Sequence, residues 1–173
     1  MAETSQSIQQ ELTRRHRTAV MVTGAFLGLT VALVGIAFFY AESFRRPVYD
    51  RASLAMALWI AILIFGLGSF VLRRTRFQPM RLQDIAALRG LSGLLATLQA
   101  TTIQVAFIGG AIALMGFVVT IMTGNYGDML RAGGVALIVL LSAYPQRSVW
   151  QRIVRSAEQS GNADDAPAKG IVA

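Results

Sequence analysis

Residues 18–40 read TAVMVTGAFLGLTVALVGIAFFY, an uncharged run of 23 residues that closes on three aromatic side chains. A helix needs roughly 20 apolar residues to cross about 30 Å of hydrocarbon, and aromatic side chains are enriched at the headgroup boundary. The run is longer than the ~7–15-residue apolar region of a signal peptide. It therefore predicts a retained transmembrane helix.

Three further apolar stretches follow in this 173-residue chain, of which 54% is hydrophobic. They predict membrane spans over residues 52–72, 101–123 and 128–144. The fourth span is the shortest, and Asp128 lies within one turn of Arg131, where the two charges can pair near the outer interface. The sequence predicts an all-α integral membrane protein with four transmembrane helices.

The polar residues divide the chain into five segments. They are an N-terminal cytoplasmic arm (1–17), a first transmembrane hairpin (18–72), a basic loop with an amphipathic helix (73–99), a second hairpin (100–145) and a cytoplasmic tail (146–173).

The amphipathic helix is predicted over residues 80–99, where apolar residues recur at three- and four-residue steps. It lies in the headgroup plane or extends the third span, and the pattern leaves both open. A turn is expected at residues 124–127, and the small polar residues beyond Glu158 predict a disordered end to the tail.

Basic residues set the predicted orientation. With the N-terminus inside, the cytoplasmic segments hold 12 of the 16 Lys and Arg residues and the outer loops hold 4. Cytoplasmic loops carry an excess of basic residues. The chain is therefore predicted to cross a bacterial inner membrane with both termini in the cytoplasm.

The first and third spans repeat each other. Residues 25–35 match residues 106–116 at six of eleven positions with a constant offset of 81, which predicts two tandem parallel hairpins. Small residues recur on one face of both spans and allow close approach of helices in a bilayer. This predicted helix-packing set is Gly24, Gly28, Gly35, Gly109, Ala113 and Gly116. It can serve packing within the bundle or docking of a partner helix.

The sequence offers no catalytic, cofactor-binding or metal-binding residues. It has no cysteine, and its single histidine, His16, stands in a basic cluster before the first span. Its nine acidic residues fall outside the predicted hydrocarbon, with Asp128 placed at the outer interface where the fourth span begins. A proton relay or ion site usually needs an ionisable group within the membrane. The net charge of +7 fits anionic headgroups better than nucleic acid. We therefore predict a protein that is not an enzyme, has no cofactor and does not bind nucleic acid.

The run FIGGAIALMGFV at residues 107–118 resembles the carboxylate-bearing helix of ATP synthase c subunits, and also uncharacterised bacterial four-helix membrane proteins with a similar Glu-Ala-x-Ala-x-x-Gly pattern. The resemblance covers twelve residues. It implies a helical hairpin that packs side by side with its neighbours. The glutamate of that family falls on Gly110, so ion transport and site residues are not carried over.

These features predict a non-catalytic structural or accessory subunit of a larger bioenergetic membrane complex (respiratory, photosynthetic or ATPase). Its predicted partners are membrane lipids and other integral membrane subunits. The residues expected at the interface, in contact with lipid or a partner, are Arg14, Arg15, Arg17, Arg73, Arg74, Arg76, Arg147, Trp150 and Arg152. One alternative is a small oligomeric transporter or channel with Thr101, Thr102 and Gln104 along its path. Another is a pigment- or lipid-binding antenna-type subunit.

Overall fold

The computed structural model describes residues 2–40, 43, 52–76 and 79–164, with side chains over 9–40, 43, 53–75, 88 and 90–156. Within these residues the chain is helical and has no strand. The helices are α1 (Ala2–Tyr40), α2 (Ala52–Arg76), α3 (Pro79–Thr123), α4 (Tyr126–Ala143) and α5 (Arg147–Asp164). Four helical stretches, Gln9–Tyr40, Ser53–Thr75, Gly90–Thr123 and Tyr126–Ala143, are long and apolar enough to cross a membrane. The predicted all-α class with four such helices is confirmed.

Helix α3 is the centre of the bundle. It packs against α1, α2, α4 and α5, while α1 and α2 both also contact α4. Half of the apolar window of α3 is buried, against 11% of that of α2. The antiparallel pair α3–α4 therefore forms a closely packed hairpin. Among the described residues, α1 and α2 pack on that hairpin and not extensively on each other.

The predicted cytoplasmic arm is helical where the structure describes it. Helix α1 begins at Ala2 and runs without interruption into the first span. Leu12, Ala19 and Thr23 are almost completely buried and share one face of this helix. Leu12 packs with Leu94 and Trp150, among others, in a cluster separate from the main core. The helix continues beyond the span because its buried face continues.

The predicted amphipathic helix at residues 80–99 is interrupted at Gly90. This glycine has φ 68° and ψ −178° and separates two helical parts of α3. Glycine adopts this left-handed backbone without the steric cost that a β-carbon brings. Residues 91–99 extend the third span, with Leu94, Leu95 and Leu98 buried. The side chains of residues 80–87 and 89 lie outside the described residues.

The turn between α3 and α4 is shorter than predicted. Gly124 has φ 67°, and Asn125 is the N-cap of α4, where its side chain accepts a hydrogen bond from the Gly127 amide. The helix therefore begins at Tyr126, before the predicted end of the turn. At its other end, Tyr144 caps α4 next to Pro145, which cannot continue the helix.

The predicted tail is helical through Asp164. Helix α5 begins at Arg147 and includes Glu158, beyond which the composition predicts disorder. Trp150, Ile153 and Val154 stand on one face and join the cluster around Leu12. Burial of this face explains a helix in a segment whose composition is otherwise polar.

Candidate functional site

The small residues of α3 pack inside the bundle. A β-carbon on Gly109 would lie 2.8 Å from Leu140 Cγ, and a β-carbon on Gly116 would collide with Ala132 of α4. Ala113, between them, is completely buried. These three members of the predicted packing set allow the close approach of α3 and α4.

The small residues of α1 have different surroundings. A β-carbon on Gly24, Gly28 or Gly35 would meet no atom within 4 Å among the described residues. Gly24 and Gly28 are exposed. Helix α1 contacts its neighbours through another face, on which Phe26 packs against Gly110 and Val34 against Gly133. The two repeats thus carry similar residues, but among the described residues only the second packs its small-residue face against another helix.

Arginines gather at one end of the bundle, which we call the basic end. Contacts between helices bring the segments together there: Arg15 reaches Gln99 on α3, and His16 reaches the Pro145 carbonyl, where α4 meets α5. The exposed arginines of the predicted interfacial set at this end are Arg14, Arg17, Arg73, Arg74, Arg147 and Arg152. The Arg76 side chain lies outside the described residues.

Arg15 differs from the other arginines. It is half-buried and forms an ion pair with Glu11 at 2.8 Å. Its guanidinium is also 3.4 Å from the Gln99 side-chain oxygen. Arg15 therefore joins α1 to α3 within the chain.

Trp150 is not at the surface. Only 2% of it is exposed, and its ring packs edge-on against His16 with the centroids 5.6 Å apart. The prediction that Trp150 contacts lipid or a partner is therefore wrong. Its apolar ring fills the space between α1, α3 and α5, which is available because α5 folds back on the bundle.

His16 is held within the same contact region. Its Nε2 lies 2.9 Å from the Pro145 carbonyl oxygen, which fits a donated hydrogen bond. Within the described residues there is no group of three or more His, Asp or Glu side chains placed to hold a metal ion.

A cavity of about 320 Å³ opens at the basic end between α2, α3, α4 and α5. Arg73, Thr101, Thr102 and Gln146 contribute polar groups to its wall. Thr101 and Thr102 are buried, whereas Gln104 is exposed and does not line this cavity. The structure thus separates the three polar residues that the sequence grouped as one path. Sequence reasoning missed the complete cavity because its wall combines residues that are far apart in the chain.

A buried acidic residue lies at the end of the bundle opposite the basic end. Asp128 is buried at the start of α4 and accepts a hydrogen bond of 2.8 Å from the Thr123 hydroxyl. Arg131 is 3.9 Å away with a mostly exposed side chain. The predicted Asp128–Arg131 pair is present, but Thr123 is the closer partner.

No protein-family model, curated protein or solved structure gave a match to this chain. The resemblance to ATP synthase c subunits stays a prediction. In place of the carboxylate of that family, Gly110 lies against the ring of Phe26. The four apolar helices indicate a multi-pass membrane protein.

Proposed function

We propose that this chain is a non-catalytic structural subunit of a larger membrane assembly, and that it binds a partner helix through the small-residue face of α1. The supporting observation is the contrast between the repeats: Gly109 and Gly116 pack against α4, whereas Gly24 and Gly28 have open space beside them. In a bilayer, small residues promote association because they permit close backbone approach and van der Waals contact. A bioenergetic complex is the proposed class of assembly.

The proposal includes a location and an orientation. The protein lies in a bacterial inner membrane, with the basic end and both termini in the cytoplasm. The exposed arginines at the basic end support this orientation, because basic residues favour the cytoplasmic side and its anionic lipids. The two hairpins of the tandem repeat then have the same direction across the membrane.

A pull-down of the tagged full chain in mild detergent, followed by mass spectrometry, tests the partner. We expect stoichiometric recovery of other integral membrane subunits. Gly28→Leu should abolish that recovery by filling the open face. Gly68→Leu is the matched control, since Gly68 of α2 is exposed and a β-carbon there would also meet no atom within 4 Å. Recovery of the chain alone, or equal recovery with Gly28→Leu, would contradict the proposal.

Cysteine labelling tests the orientation. The chain has no cysteine of its own, so single cysteines report one position each. A membrane-impermeant maleimide should label Ser43→Cys in intact cells and Gln10→Cys only after the membrane is permeabilised. The opposite pattern would reverse the proposed orientation.

A small oligomeric transporter is the second candidate, because buried Thr101 and Thr102 line a cavity. Beyond that cavity, close contacts of Gly109 and Gly116 with α4 fill the α3–α4 interface. A transport path would therefore have to run between protomers. Recovery of the protein as a pure homo-oligomer would favour this candidate over the accessory subunit.

A further inference from the structure

The cavity at the basic end has the chemistry of an anion site. Among the described residues, Arg73 is the only charged one in its lining, so the wall carries a cation and no carboxylate. No ion pair joins the Arg73 side chain to an acidic residue in the described part of the chain. A guanidinium offers five N–H donors in a fixed fork that suits phosphate oxygens. An anion in the cavity would give this arginine a partner.

Neutral donors surround the same space. Thr101 and Thr102 are 2% and 4% exposed, and their hydroxyls donate to the carbonyls of Thr97 and Leu98 at 2.9 Å. A carbonyl inside a helix also accepts the backbone amide of the residue four positions further on, so the threonine hydroxyl is its second donor. Each hydroxyl proton can therefore turn towards an anion while the helix stays intact.

The start of α5 completes the polar wall. Gln146, directly before this helix, and Val149 and Trp150 in its first turn line the cavity. The amides of Val149 and Trp150 both bond to the Gln146 carbonyl. These two amides therefore already have an acceptor, and what this end of α5 offers to an anion is the positive end of the helix dipole.

The outer rim of the cavity is apolar. Leu141 is 61% exposed and Val149 is 40% exposed, and both also line the cavity. Leu141 belongs to α4, one of the four helices apolar enough to cross a membrane. An occupant can therefore place a charged group against Arg73 and extend an apolar chain over this rim.

We infer that this cavity binds the phosphate group of an anionic phospholipid. Arg73 contacts the phosphate oxygens, the Thr101 and Thr102 hydroxyls donate hydrogen bonds, the α5 dipole favours the negative charge, and the acyl chains leave along Leu141. A free phosphate offers the same anionic group but leaves the apolar rim uncovered. This inference does not rest on the partner helix proposed for α1.

Native mass spectrometry of the full chain tests the site. The probes are phosphatidylglycerol and phosphatidylcholine with identical acyl chains, and inorganic phosphate. We expect the wild-type chain to retain phosphatidylglycerol in preference to phosphatidylcholine, which has the same phosphate but carries a choline cation that Arg73 repels. Arg73→Gln should weaken phosphatidylglycerol binding by about tenfold or more, as expected for loss of hydrogen bonds to a charged group.

Two further variants distinguish a specific binding site in the cavity from non-specific electrostatic attraction of the lipid to the basic end. Arg74→Gln removes a neighbouring exposed arginine that does not line the cavity, and should change binding by less than about twofold. Thr102→Val, which keeps the side-chain shape, should weaken binding by a smaller factor than Arg73→Gln.

Equal losses in Arg73→Gln and Arg74→Gln, or equal retention of the two lipids, would overturn the inference. Displacement of phosphatidylglycerol by millimolar inorganic phosphate, dependent on Arg73, would identify free phosphate as the ligand and overturn the lipid assignment.

Discussion

Gly116 of α3 lies directly against Ala132 of α4, with no room for a β-carbon between them. Both residues are buried. This contact fixes how closely the two central helices approach, since the obstructing atoms include the alanine β-carbon, which has no rotamer freedom. Gly28 belongs to the matching repeat in α1, where its counterpart is Gly109, yet a β-carbon there would meet no atom within 4 Å among the described residues.

Gly116→Ala should therefore destabilise the isolated chain by about 1–3 kcal/mol, the usual cost of inserting a methyl group into a close-packed interface. Gly28→Ala, whose β-carbon meets no atom within 4 Å among the described residues, should be neutral or stabilise the chain by up to about 1 kcal/mol, because alanine favours a helix more than glycine does. Unfolding in mixed micelles with increasing denaturing detergent measures both. Equal destabilisation by the two substitutions would contradict the finding that Gly116 is packed against α4 whereas Gly28 has open space beside it.

Thr23 and Thr30 provide a second matched pair on α1. Both are fully buried. The Thr30 hydroxyl donates to the Phe26 carbonyl at 2.8 Å, whereas the Thr23 hydroxyl has no hydrogen-bond partner among the described residues. Thr23→Val should therefore stabilise the chain by about 1 kcal/mol, because it removes an unsatisfied buried polar atom at nearly constant shape.

Thr30→Val is the control and should be neutral or destabilising by up to about 1 kcal/mol, since it removes a satisfied hydroxyl. The same unfolding assay compares the two variants. A loss of stability in Thr23→Val as large as in Thr30→Val would show that the Thr23 hydroxyl has a partner.

The four spans could be predicted because length and hydropathy alone decide whether a helix crosses a membrane. The surroundings of Gly28 and Gly116 could not be predicted, although both residues belong to the same repeated pattern. A pattern shows which residues share a helix face, and the tertiary packing decides what that face contacts. Here α4 covers the face of α3, whereas no part of the chain that the structure describes covers the matching face of α1.

The sequence of α5 contains a pattern that predicts a buried helix face. Trp150, Ile153 and Val154 follow the three- and four-residue spacing of a buried helix face. Because their neighbours are polar, these residues are assigned from sequence only to a cytoplasmic tail, with disorder predicted beyond Glu158. The cavity beside α5 is different, because Arg73 and Thr102 belong to separate helices and Gln146 to the link before α5. No local pattern reports that these residues meet.

The Thr123–Asp128 hydrogen bond should contribute more to stability than the Asp128–Arg131 pair. Asp128 has a side chain that is 12% exposed, whereas that of Arg131 is 75% exposed. Exposed ion pairs contribute roughly 0–1 kcal/mol, and hydrogen bonds to charged groups about 1.5–3 kcal/mol. Thr123→Val should therefore cost at least about 1 kcal/mol more than Arg131→Gln.

Detergent unfolding of the two single variants measures this difference, and Thr123→Ser serves as the control that keeps the hydroxyl. If Arg131→Gln proves more damaging than Thr123→Val, the ion pair and not the hydrogen bond holds Asp128 in place.

The cluster around Leu12 should couple the first helix to the last. Leu12 is 1% exposed and packs with Trp150 and Val154 of α5. Removing most of a buried leucine side chain costs about 2–5 kcal/mol, and α5 also makes contacts with α3 that this change leaves in place. Leu12→Ala should therefore open α5 locally and leave the α3–α4 hairpin folded.

Hydrogen exchange resolved by segment measures this opening, because exchange reports the free energy of local unfolding. We expect the amides of residues 147–156 to exchange about tenfold faster or more in Leu12→Ala. A tenfold increase corresponds to a decrease of about 1.4 kcal/mol in the free energy of local unfolding of α5. Thr13→Ala, an exposed neighbour on the same helix, should leave α5 unchanged. Unaltered protection of α5 in Leu12→Ala would mean that α5 is held by α3 alone, and that the continuation of α1 beyond its span does not support it.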